Sequence, residues 1–331
     1  MSEWDPKHES SGADVSIPLP EDRPSLRLSA EGMEFSTRED WYWDFHLRKE
    51  ASRGLDARSD LFAPGAFRAR LEAGDSRALA FSSETGSIEA WQKTLTSARA
   101  RQAELLERAG AHAAHPVVQD LILAADQFIV RRSVPESILH RQPASARESG
   151  RTIIAGYPWF NDWGRDAMFA LPGLTLATDR HADAAAILRT FAAYEHDGLF
   201  PNNLPDKAKD APGYNTVDAL WFIIALRAYG AATGDNDLVL ELLPTVRRIV
   251  DAYAAGTQFG IGVDSQDGLL RAGTAETQLT WMDAKVGDWV VTPRSGKAVE
   301  VNALWYNLLK AVSSLLSSAD ASPAETEPLP T

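Results

Sequence analysis

The chain has 331 residues, 44% of them hydrophobic, enough to bury a sizeable core in one large domain or two smaller ones. Its 46 acidic residues outnumber 33 basic ones, and the formal charge of −13 repels phosphate backbones and leaves no basic stripe for nucleic acid. There is no cysteine, which excludes disulfides, thiolate catalysis and Cys-based zinc sites and fits a reducing cytoplasm.

The first residues, MSEWDPKHESSG, lack a basic start followed by an apolar run, and no uncharged apolar stretch approaches the roughly 18 residues of a membrane span. A soluble, cytoplasmic protein without membrane contact is expected. Residues 1–23 are polar and proline-punctuated and read as a disordered arm. Residues 24–86 favour strands: Phe67, Ala69 and Leu71 alternate with polar residues, Glu72 to Asp75 can turn the chain, and Arg77 to Ser82 can return beside it as a hairpin. Trp41 to Phe45 also alternates in part. Three or four strands are few for a sandwich, so this segment reads as the remnant of an N-terminal β domain.

Residues 87–112 carry Ile88, Trp91, Leu95, Ala98, Leu105 and Ala109 at helical spacing, an amphipathic linker helix. Beyond Pro116 the pattern is helical throughout. One helix is marked by Val117, Val118, Leu121, Ile122, Ala125, Phe128 and Ile129; a second covers about 166–178, kinked at Pro172-Gly173; a third covers about 181–195. The fourth, from Val217 through Leu226, is apolar nearly all round and should be buried on every side. The fifth, after Asp235, carries Leu238, Val239, Leu242, Leu243, Val246, Ile249, Val250 and Tyr253 on one stripe, and a sixth starts near Val299. A buried helix followed by a one-sided one is the alternation of an α/α toroid. The fold class expected is mainly α, a partial (α/α)6 toroid of about six helices over 113–317. Residues 318–331 have the composition of a disordered tail. A closed toroid needs about twelve helices, so a truncated chain is expected.

Two stretches carry chemistry that helix or strand periods do not explain. In Gly156 to Ala167, GYPWFNDWGRDA, the aromatics Tyr157, Trp159, Phe160 and Trp163 precede Arg165-Asp166. Indoles stack on the C–H faces of sugars, while guanidinium and carboxylate groups pair with hydroxyls. A core aromatic cluster beside a helix-start ion pair fits the same spacing. In Gln278 to Asn307, QLTWMDAKVGDWVVTPRSGKAVEVNALWYN, Asp283 follows Trp281, and an indole face desolvates a carboxyl and raises its pKa toward that of a proton donor. The commoner use of such an Asp is to cap a short helix or pair with Lys285. This stretch lies in a long connection, about 256–298, of a length that is functional or disordered in compact domains. Asn215 with Asp218 fits an N-cap, and Glu300 favours the positive end of a helix dipole. The histidines show no metal-ligand spacing, so neither metal nor cofactor is expected.

These two stretches, with GLFPNNLPD from Gly198, YNTVDALWF from Tyr214 and GLDARSDLF from Gly54, resemble the bacterial and archaeal type of glycogen debranching enzyme, the amylo-α-1,6-glucosidase family, over roughly residues 41–316. The resemblance implies an (α/α)6 toroid related to glucoamylases that hydrolyses α-1,6 branch points of glycogen or limit dextrin with inversion. It implies Asp283 as the general acid, Arg165 and Asp166 gripping the terminal glucose, Trp163 and Trp281 as pocket walls, and Lys285, Asp288 and Trp289 nearby. The general base is expected from the last third of the toroid, outside this chain. The competing readings are another α/α-toroid glycosidase of glucoamylase or trehalase type, and a non-catalytic α-glucan-binding protein or inactive fragment.

Overall fold

The computed structural model describes residues 8–19, 23–83, 91–134, 138, 150–205 and 213–318. The chain forms two compact units, Met1–Arg101 and Gln102–Thr331. Helix and strand are mixed, 43% and 24%, so strands contribute more than a mainly helical reading expects.

In the first unit β1 (Glu9–Ser11), β2 (Asp14–Ile17), β3 (Leu26–Glu31) and β6 (Ala78–Ser82) form an antiparallel sheet in the order β1-β2-β3-β6. The first two strands occupy part of the expected arm. Val15 and Ile17 alternate with Asp14 and Ser16 and are buried, a short strand signal masked by the prolines that follow it. Residues 1–7 lie outside the described part. β4 (Glu34–His46) pairs antiparallel with β5 (Arg58–Arg68), the short helix α1 (Arg48–Ser52) lying between them in sequence.

The expected hairpin from Phe67 to Ser82 does not form. Glu72 to Asp75 does turn, with the Asp75 amide donating to the Glu72 carbonyl at 3.0 Å, but β6 pairs with β3, and Phe67 lies opposite Phe35 in β4. Alternation fixes which face a side chain takes and says nothing of which strand is the partner. Here aromatic pairs accompany the register: Phe35 and Phe67 lie 4.9 Å apart, Trp41 and Phe62 5.2 Å.

The helix α2 (Trp91–Arg108) spans the division between the units; the expected start of this helix, with Ile88, lies outside the described residues. In the second unit α3 (Pro116–Phe128) is capped by His115, whose ring accepts from the Val117 amide, and passes into β7 (Ile129–Arg132), which pairs with β8 (Gly150–Ile153). Ile129 therefore belongs to a strand. Then follow α4 (Gly164–Leu174), which contains Pro172 and ends before a 3-10 turn at Leu176–Thr178, and α5 (His181–Ala193). Next come α6 (Ala219–Thr233) and α7 (Asn236–Ala255), the latter capped by Asp235, which accepts from the Leu238 amide at 3.1 Å. The last helix is α8 (Val299–Ser318); residues 319–331 lie outside the described part.

The stripe expected on α7 is buried at all eight positions. Helix α6 is the hub, packing against α4, α5, α7 and α8. It is not enclosed on every side: Leu220, Phe222, Ile223, Ala225 and Leu226 are buried, Trp221 and Ile224 are half-buried, and Arg227 is exposed. The open side begins at Trp221, which matters below. A buried cation ties α3 to α5: Arg180 donates to Asp126 at 2.7 Å and to Asp183 at 2.6 Å, so its charge is paired rather than stranded.

The long connection after α7 is ordered as two small hairpins, β9 (Gly262–Val263) with β10 (Leu270–Arg271) and β11 (Lys285–Val286) with β12 (Trp289–Val290). Asn302 of α8 holds it from the other side, accepting from the Leu270 amide at 2.8 Å and donating to the Leu270 carbonyl at 3.0 Å.

Candidate functional site

The first turn of α4 brings the guanidinium of the aromatic-rich segment into the interior. Gly164 opens this helix where its amide donates to the Asn202 carbonyl at 2.9 Å; an added Cβ would come within 2.8 Å of the Pro201 carbonyl oxygen and 3.5 Å of Asp218. Trp163 bridges to Asn203, and the Leu204 amide donates to the Asp162 carbonyl. Asn202, Asn203 and Leu204 thus brace the helix start. Arg165, the next residue, donates from Nε to Oδ1 of Asp218 at 3.0 Å.

Asp218 stands at the N-cap position of α6, yet its side chain makes no capping bond. It is 1% exposed and paired to Arg165 instead. Burial pushes its carboxyl above the ordinary carboxylate value, against the pull of Arg165 and a hydrogen bond from Thr216, with the Asp166 charge adding to the rise. Oδ2 of Asp218 and Nη2 of Arg165 are buried without a hydrogen-bond partner among the described residues, as is the Thr280 hydroxyl. Such groups cost about 1–3 kcal/mol each when left unpaired, and these three belong to residues that line one cavity.

The Val217 amide donates to the Leu279 carbonyl at 3.1 Å, which lays the start of the second chemical stretch beside α6. Thr280 and Trp281 follow. Together Arg165, Asp218, Trp221, Thr280, Trp281 and Glu300 line a cavity of about 260 Å³, with Asn307 at one edge and Val217, Val301 and Leu304 supplying apolar lining. Trp281 is 56% exposed, with the Arg294 guanidinium 5.8 Å from its ring centroid. Trp221 meets Phe169 edge-on at 5.4 Å. Ligand pockets span about 300–1,000 Å³, so this one, just under that range, suits a single ring.

The site residues read from sequence divide. Arg165 and Trp281 line the cavity. Asp166 does not: it is exposed in the first turn of α4, and the carboxylate that answers Arg165 is Asp218, one helix away. Trp163 is half-buried with its indole nitrogen unpartnered among the described residues, and it is not a wall of the cavity. Asp283 is exposed, precedes the β11–β12 hairpin rather than a helix, and is outside the cavity lining. Lys285, Asp288 and Trp289 are exposed on that hairpin. Asp218 and Glu300 are the cavity carboxylates, and spacing pointed to a structural use for both. A signal for Asp218 was present: an acid opening a helix that is apolar nearly all round has to find a partner inside.

No group of three or more His, Cys, Asp or Glu that could hold a metal occurs among the described residues, and no described helix is long and apolar enough to cross a membrane. A second depression of about 270 Å³ in the first unit, between β1, β2 and β3, has no aromatic wall.

Tryptophans around an arginine–carboxylate pair, in a space of single-ring size, have the constitution of a carbohydrate pocket. Comparison with known proteins narrows this class. Residues 123–326 match the amylo-alpha-1,6-glucosidase family and residues 2–78 match the N-terminal part of glycogen debranching enzymes. The chain belongs to the amylo-alpha-1,6-glucosidase family. A glycogen debranching enzyme of Saccharomyces cerevisiae is 28% identical over 228 residues, 51% of this chain and 15% of the yeast protein. The matched part of that relative is thus a small share of its length.

Proposed function

We propose that this chain carries the glucosyl-binding part of an amylo-α-1,6-glucosidase site, set in a partial (α/α)6 toroid and acting on α-1,6 branch points of an α-glucan such as glycogen or limit dextrin. The observation that supports it is the cavity in which Arg165 is held against buried Asp218 between Trp221 and Trp281. A glucosyl ring stacked on an indole brings its hydroxyl rim toward Asp218, Arg165 and Thr280, whose Oδ2, Nη2 and Oγ1 atoms the unliganded chain keeps closed to water, so binding includes a small shift of these side chains. These are donors and acceptors that hydroxyls can satisfy in both directions.

In this reading Asp283 donates a proton to the bridging oxygen of the branch. It lies two residues past the Trp281 wall, and a bound glucan covering the loop would supply the desolvation that the unliganded chain lacks. Inversion requires a second carboxylate about 6.5–9.5 Å away to activate water; none of the described residues is assigned that part. No cofactor or metal enters the reaction, the acidic surface disfavours nucleic acid, and a cytoplasmic location suits the substrate.

A second reading, α-glucan binding without hydrolysis, is favoured by one observation, the exposure of Asp283 outside the cavity lining. Glucose release from phosphorylase limit dextrin, measured beside limit-dextrin binding, separates the two. Release by the wild-type chain and a 10²–10⁴-fold loss in Asp283→Asn support hydrolysis with this acid. Equal release by both removes Asp283 from the role, and binding by both with release by neither establishes the second reading.

A further inference from the structure

We propose that Glu300 is a substrate-contacting residue of the cavity and that Arg294 positions both Glu300 and the Trp281 wall. The inference rests on the glucosyl-site reading above. Glu300 is the second residue of α8, where the helix dipole alone accounts for an acid. Its surroundings go further. Both carboxylate oxygens are gripped by one guanidinium: Arg294 Nε donates to Oε1 at 2.6 Å, and Arg294 Nη2 donates to Oε2.

A fork-on-fork pair of this kind fixes the plane of the carboxylate and leaves a second lone pair on each oxygen for another donor. Arg294 also lies over the Trp281 ring, so a single cation joins two side chains that line the same cavity. Glu300, Ala303, Leu304 and Asn307 follow the i, i+3, i+4, i+7 spacing of one helix face, and all four line it. The face is polar at both ends and apolar between, so it can meet hydroxyls at its ends and C–H groups along its middle.

Two arginine–carboxylate pairs of different character thus meet the cavity, the second through Glu300 alone, with Arg294 behind the lining. Arg165–Asp218 is sunk in the core, whereas the Arg294 and Glu300 side chains are 27% and 28% exposed, open enough for a hydroxyl to reach. A lysine cannot replace Arg294 here, because it lacks the planar fork that orients the carboxylate.

The test is calorimetric titration of the full chain with glucose and its 2-, 3-, 4- and 6-deoxy analogues, on wild type, Glu300→Gln and Arg294→Lys. Wild type is expected to bind glucose about tenfold or more tighter than at least one deoxy analogue, as befits a hydrogen bond to a charged group. Glu300→Gln should lose that one preference while keeping discrimination at the other positions. Arg294→Lys, which leaves the glutamate in place, should reduce the same preference in part. A glutamine or lysine variant with an unchanged panel overturns the proposal, as does a wild type that binds all five sugars equally. A wild type that binds none of them overturns the glucosyl-site reading itself, a result distinct from the others.

Discussion

The stretch from Gln278 to Asn307 separates into two regions of opposite character. Thr280, Trp281 and Glu300 line the cavity and are held by residues distant in sequence or by Arg294; Asp283, Lys285, Asp288 and Trp289 lie exposed on a hairpin closed by its own short pairing. In the first region the chain is tied to the helical layer by the Val217–Leu279 bond, and Glu300 is fixed by Arg294. The second lacks such anchors among the contacts described above. One contiguous motif therefore supplies part of a cavity wall and an exposed hairpin that follows it in sequence. Preorganisation belongs to the first part.

The severest way to break this contrast is to remove the carboxyl of Asp218. Asp218→Ala removes the carboxylate, itself 1% exposed, that pairs the Arg165 guanidinium, whose side chain is 18% exposed; stability should fall by about 3–5 kcal/mol in urea denaturation, with limit-dextrin binding lost. A fall of less than about 1 kcal/mol would show that the pair is solvated. Asp283→Asn should do the reverse: glucose release drops while the urea midpoint stays at the wild-type value, as expected of an exposed side chain. Concerted loss of both would put Asp283 in the core.

Trp281→Ala sharpens the comparison from the cavity side. Limit-dextrin affinity should weaken by up to about tenfold, the scale of an aromatic stacking term of about 0.5–1.5 kcal/mol, as read by titration. No change would remove Trp281 as a wall. The smallest effect concerns pH. Burial raises the folded-state pKa of Asp218 above its ordinary 3.8, so the stability from its bound proton is present at low pH and lost as pH rises through the folded value. Asp218→Asn cannot titrate, and the wild-type-minus-variant difference should decline as pH is raised from about 4 toward neutrality. Urea midpoints at successive pH values measure it, and a constant difference would falsify the upward shift.

Periodicity made the helical layer legible. The α7 stripe follows from residues within one or two turns of each other, and the structure keeps it. What local pattern cannot carry is a choice of partner. An Asp at a loop-to-helix junction reads as a cap because capping is decided within three residues, whereas the pairing of Asp218 is decided 53 residues away at Arg165. Glu300 is the same case at shorter range, its arginine six residues upstream across a loop. The β6 strand paired with β3 instead of its sequence neighbour for a related reason, since alternation names a face and leaves the edge unassigned. Family likeness located the Asp283 segment without revealing how open the hairpin is.

The amide of Asn302 does a strand's work from within a helix. It meets both main-chain groups of Leu270, while Gly296 meets those of Ala272, so the side of β10 turned away from β9 is paired at both positions. Leu270 is fully buried, so these groups have no water to turn to. Asn302→Leu would strand a main-chain donor and acceptor beneath α8, and a loss of about 1–3 kcal/mol for each, read as a lower urea midpoint, is the expected consequence.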